Sequence, residues 1–184
     1  LTAPVDGWGL LWGKNWGDEI ASSAKRKNMA NIMDYLLANK NTIHYREFRP
    51  MDWTSWTWLG MRMRLKARRS VYADCSESTT AICKWAGLSD PNGNNYNGWG
   101  NTDSMYSNLR HYKDPSNALV GALVVFGSYP GTKHVAMVRY PDPHDPKLWS
   151  HGHEGSPDDP ALYNFSSMSA YFNNVYTFCS VANL

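Results

Sequence analysis

Long apolar runs are missing from this sequence, and no stretch approaches the length of a bilayer span, so membrane insertion is not expected. Cysteine is scarce. The three, Cys75, Cys83 and Cys179, cannot all pair, and their scattered spacing fits neither a disulfide framework nor a zinc knuckle. At least one thiol is therefore free. Charge of either sign is also low: a net +2 gives no bulk electrostatic case for nucleic acid as a partner. No secretory leader pattern is legible, so an extracellular substrate would require another means of delivery. With 42% hydrophobic and 18% charged residues, the chain is not composed like a disordered one. Its 184 residues suit one domain with a core of its own.

What the chain has in excess is tryptophan, nine residues in all. Three stand in a repeat, Trp8-Gly9, Trp12-Gly13 and Trp16-Gly17. Glycine this dense disfavours a helix, so residues 1–17 read as an irregular arm, packed on the domain or binding saccharide. Residues 18–184 read as one catalytic-sized domain. Met29, Ile32, Met33, Leu36 and Leu37 fall on one helical stripe, predicting a helix over 18–39 that ends near Asn39. Residues 42–72 show no clean period; they hold Trp53, Trp56 and Trp58, and a basic run (Arg62, Arg64, Lys66, Arg68, Arg69) expected on a solvated strand or loop. An anionic polymer is the alternative partner for that run. A helix should run from Cys75 to Trp85, followed by turn chemistry over 89–102 and a second helix capped by Thr102 or Asp103. Strands are expected over 118–126, 134–140, 148–151 and 175–181, with a helix over 163–173. Helices first and strands after give an α+β domain with a mainly antiparallel sheet.

Cys75 stands where a loop becomes a helix. Unpaired N–H groups and the helix dipole there should favour thiolate, making a better nucleophile; Cys83 and Cys179 read as core. His134 opens an apolar strand after a Gly-containing turn, where its ring can take the thiol proton and return it to a leaving amine. His151, on the next strand, is expected beside His134 as the residue that orients it.

These residues resemble the NlpC-type peptidases, papain-like cysteine peptidases of peptidoglycan, and resemble most the catalytic domains of endolysins from phages of actinobacteria. The resemblance is carried by YADCSESTTAICKWAGLSDPNG (72–93), YNGWGNT (96–102), GALVVFG (121–127), KHVAMV (133–138) and WSHGHEG (149–155). It implies a papain-like fold with N-terminal helices on the sheet, nucleophile Cys75, base His134 and third residue His151. It further implies a cleft wall built from the Gly/Asn-rich loop, with Asp74, Trp99 and Asn101 as substrate-binding candidates. The expected partner is bacterial peptidoglycan, cut in its stem or cross-bridge peptide by a monomer without metal or other cofactor. The expected location is the host cytoplasm and then the cell wall at lysis, or the extracellular space. One departure is Gly121-Ala122, where such domains commonly carry Gly-Asp.

Three other readings compete. A metallopeptidase could use His144, Asp145, His151, His153 and Glu154, although no HExxH motif and no HxxxD partner accompany them. An amidase that cuts between sugar and peptide would use the same Cys–His pair. A non-catalytic wall-binding or virion domain would explain the aromatic excess without needing Cys75, His134 and His151 together.

Overall fold

The computed structural model describes residues 8–152 and 159–181, with side chains from residue 22 onward. Helix α1 spans Trp8–Ala38. It runs through the boundary expected at residue 17, so residues 8–17 are helical and not an irregular arm. A spacing of four between the Trp-Gly pairs is itself a helical spacing; in a helix this long the cost of the glycines is outweighed by its other residues. The Trp8, Trp12 and Trp16 side chains lie outside the described residues. The apolar stripe is as expected, with Met29, Ile32, Met33 and Leu36 buried. Asn39 ends the helix by donating its side-chain amide to the Tyr35 carbonyl, 2.8 Å away. Arg26 is half-buried and donates to the Val120 carbonyl.

Strands β1 (Ile43–Tyr45) and β2 (Val71–Ala73) pair in parallel as a small sheet of their own. Between them lie a 3-10 turn at Trp53–Ser55 and helix α2, Trp58–Lys66, which starts on the Thr57 hydroxyl. The basic run therefore sits largely on a helix, not on a strand or loop. Only Met61 and Leu65 of α2 are buried, too few to leave a readable period.

Helix α3 (Cys75–Trp85) follows β2 directly, and α4 (Thr102–Asn108) follows the Gly/Asn-rich loop. The main sheet is formed by β3 (Arg110–Tyr112), β4 (Leu123–Phe126), β5 (His134–Tyr140), β6 (Lys147–His151), β7 (Pro160–Asn164) and β8 (Tyr176–Ser180). Its order is β3-β8-β4-β5-β6-β7, with every neighbouring pair antiparallel. Helix α5 (Phe165–Tyr171) lies between β7 and β8. The fold is thus α+β with an antiparallel main sheet.

Because side chains alternate across a strand, the sheet divides the core in two. Leu123, Val125, Val135, Met137 and Trp149 face the cluster that holds Cys75, Ile82 and the α1 stripe. Val124, Phe126, Ala136, Val138, Leu148 and Phe178 face Phe165 and Met168 of α5. Cys83 and Cys179 are buried in the first cluster, as expected. No described helix is long and apolar enough to cross a membrane.

Candidate functional site at the start of helix α3

Asp74 is extended and caps α3. Its Oδ1 accepts from the Glu77 N–H at 2.7 Å and the Ser76 hydroxyl at 2.8 Å, and its Oδ2 lies 2.9 Å from the Arg49 guanidinium. Charge-assisted bonds of this kind fix a helix start firmly. The carboxylate is buried and occupied, so Asp74 builds the site and is not available to bind substrate. Asn101 likewise caps α4 through a reciprocal box with Ser104. Of the three residues expected to bind substrate, Asp74 is buried, whereas Asn101 is exposed and Trp99 presents its ring to solvent at 56% exposure.

Arg49 has no sequence signal yet joins three elements. It bonds Asp74, the Ser76 hydroxyl at 2.7 Å and, through Nε, the Gly100 carbonyl at 2.8 Å. The loop itself is gathered by the Asp90 carboxylate, which accepts from the N–H groups of Asn92, Asn94 and Tyr96. Gly100 has a φ of +143°, and a Cβ there would fall 2.3 Å from the Asn92 side chain. The loop can fold this closely onto itself only without a side chain at that point.

Cys75 is 5% exposed. Burial, then the Asp74 charge, pushes its thiol up to about 12. The Val135 N–H, the Tyr45 hydroxyl and the Ser76 N–H all favour the anion, but desolvation wins. Burial at this helix start thus opposes the thiolate that the helix dipole was expected to favour. Tyr45, at the end of β1, holds its hydroxyl 4.0 Å from the Cys75 sulfur. Burial raises that phenol well above its ordinary value, so it remains a proton donor. Gly152 makes room for the Tyr45 ring: a Cβ there would sit 2.1 Å from it.

His134 is buried, and its Nε2 lies 2.7 Å from Ser150 Oγ. The Ser150 hydroxyl has one proton, which it donates to the Gly152 carbonyl at 3.2 Å. With its proton directed there it accepts from His134, and in that tautomer Nε2 carries the imidazole proton. Phe172 and Phe126 stack on the ring with centroids 5.8 and 6.4 Å away.

His151 is not beside His134. The register pairs Met137 with Trp149 and Val138 with Leu148. Continued along the strands, it sets Ser150 on the His134 face and turns His151 to the opposite one. There His151 is fully buried, stacked on Trp53 at 5.9 Å and meeting the edge of Tyr45 at 5.7 Å. Among the described residues the side chain hydrogen-bonded to His134 is Ser150, a placement that strand parity in WSHG could have signalled.

The sulfur lies against the N–H of Val135, the residue after His134. Cys75 packs in the cluster on the Val135 face of the sheet, whereas the His134 ring stacks on Phe126, which belongs to the cluster on the other face. Asp145 accepts from the N–H and hydroxyl of Ser166, His151 is in the core, and His153 and Glu154 lie outside the described residues. Among the described residues no group of three or more His, Cys, Asp or Glu is arranged to hold a metal ion. No protein-family model matches the chain, and no curated protein does.

Proposed function

We propose that this chain is a papain-like cysteine peptidase acting on the peptide portion of bacterial peptidoglycan. The observation that carries this reading is the juxtaposition at the start of β5. The thiol that begins α3 lies against the N–H of Val135, the residue that follows His134, and the His134 ring is held at Nε2 by the Ser150 hydroxyl. In this reading His134 Nδ1 takes the Cys75 proton as the sulfur attacks the scissile carbonyl. The Ser76 N–H and the Tyr45 hydroxyl are donors near the sulfur for the developing oxyanion. The imidazolium then protonates the leaving amine, and water hydrolyses the thioester with His134 again as base. A thiol held neutral until its base acts is protected from adventitious oxidation, since reactivity follows the thiolate.

Substrate would approach along the loop that carries Trp99. A second wall is available where Phe172, which stacks on His134, also lines a cavity of about 520 Å³ together with Lys133, Tyr171 and Asn173. The resemblance supplies the wall peptide as substrate; the geometry by itself supports peptide or amide hydrolysis by a thiol. Digestion of purified peptidoglycan, with the new amino terminus identified by mass spectrometry, tests both. Cys75→Ala and His134→Ala should each abolish release of new termini. Release by folded Cys75→Ala protein would refute the nucleophile, and a new amino terminus at the first stem residue, paired with a freed lactyl carboxyl, would make the enzyme an amidase.

A further inference from the structure

A second cavity, of about 400 Å³, lies between α1 and α2, away from His134 and its phenylalanines. Its lining includes Asn28, Asn31 and Tyr35 from α1, Trp58 and Arg62 from α2, and Trp85 from the end of α3. The α1 residues are spaced so that they share one helical face beside the buried stripe, and Trp58 and Arg62 are one turn apart on α2. We propose that this cavity binds a saccharide, specifically N-acetylated pyranose units of the wall glycan strand. The N-acetylated identity rests on the function proposed above; the saccharide class rests on the cavity.

Three features argue for a sugar. The first is a corner of aromatic rings. Tyr35 and Trp58 meet at 80° with centroids 5.4 Å apart, and Trp58 and Trp85 lie 5.2 Å apart. A pyranose presents a face of C–H bonds with small positive partial charge, which complements the negative face of an indole or phenol. The second is the polar rim. Two carboxamides and a guanidinium are planar groups that can engage neighbouring hydroxyls, or an acetamido group, in pairs. Such a rim, with few polar groups around aromatic walls, is typical of small-ligand sites, and the volume lies within their range.

The third is rigidity. The Trp85 indole N–H is tied to the Trp56 carbonyl at 2.9 Å, and Arg62 lies over the Tyr35 ring at 5.4 Å. Rings fixed before the ligand arrives lose little entropy on binding. Beyond the cavity, Trp85 stacks on Trp53 at 5.9 Å, and Trp53 on His151 at the same distance. A continuous row of rings thus connects the proposed sugar site to the surroundings of Cys75.

The test is calorimetric titration of the full chain with tri-N-acetylchitotriose, alongside indole N–H spectra of the tryptophans. Saturable binding is expected, with the Trp58 and Trp85 signals shifting. Trp58→Ala and the double variant Asn28→Ala/Asn31→Ala should each weaken it by about tenfold or more, while Cys75→Ala leaves it unchanged. The asparagines are exposed, so that variant keeps the core and remains informative should Trp58→Ala fail to fold. Absence of binding, or binding untouched in the asparagine variant, would overturn the site. Equal binding of maltotriose would overturn the N-acetylated identity. Sugar binding in a protein whose wall cleavage does not need Cys75 would sink the catalytic reading and leave this one standing, and the converse result would do the reverse.

Discussion

Glu77 offers a sharp test of how the helix carrying Cys75 is held. It is fully buried, its Oε1 accepts the Trp53 N–H at 2.8 Å, and its Oε2 has no hydrogen-bond partner among the described residues. Burial, with a further push from Asp74, raises its carboxyl to about 8 against the pull of Trp53 and Arg49. The folded protein therefore keeps a proton that the unfolded chain releases above its own value of 4.5. Stability from this group is complete below the unfolded value, falls as pH rises through the window, and is lost above the folded one. Each pH unit inside the window corresponds to about 1.4 kcal/mol. Between pH 6 and pH 9 the wild-type protein should therefore lose about 2–3 kcal/mol from this source. Glu77→Gln keeps an acceptor for the Trp53 N–H and cannot ionise. Urea unfolding of both proteins at pH 6 and pH 9, followed by tryptophan fluorescence, gives the comparison, and every other titrating group cancels in the difference. Parallel pH dependence in the two proteins would refute the assignment of a neutral buried carboxyl.

Other outcomes follow from the same geometry. Ser150→Ala removes the acceptor for His134 Nε2–H; a hydrogen bond of ordinary net strength corresponds to a loss of up to about tenfold in kcat with little change in KM. His151→Phe, which can remain stacked on Trp53, should change kcat far less. The reverse ranking, measured on a soluble stem-peptide substrate, would restore His151 as the orienting residue. Alkylation of Cys75 in the absence of substrate should be slow at pH 7 and accelerate about tenfold per pH unit past pH 9, because the thiol is raised toward 12. A rate that levels off near neutral pH would show that the resting group is already a thiolate.

The sequence by itself determined the elements whose local chemistry is self-sufficient. The α1 stripe of Met29, Ile32, Met33 and Leu36 marks a helix because four apolar residues recur on one face. Asp74 before Cys75 marks a helix start because a carboxylate there satisfies N–H groups that nothing else can reach. The apolar runs of β4 and β5 identify strands buried on both faces, and with them the α+β class. Segments that bury little gave no such signal. Helix α2 hides only Met61 and Leu65, and β3 exposes or half-exposes all three of its residues. Their identity comes from the neighbours they pair with or pack on.

The candidate site divides along the same line. Cys75 and His134 were legible because each stands at the end of an element with recognisable punctuation. Tertiary structure alone decided what surrounds them. Sheet register made Ser150 the partner of His134 and sent His151 to the other face, a one-residue distinction that composition cannot carry because both residue types suit the role. Desolvation, a property of the whole packed environment, opposes the thiolate that the helix dipole was expected to favour at Cys75. Arg49 and Tyr45 reach the site from 26 and 30 residues upstream of Cys75, distances over which no local pattern exists. Local physics fixed which groups could react, and long-range packing fixed which of them meet.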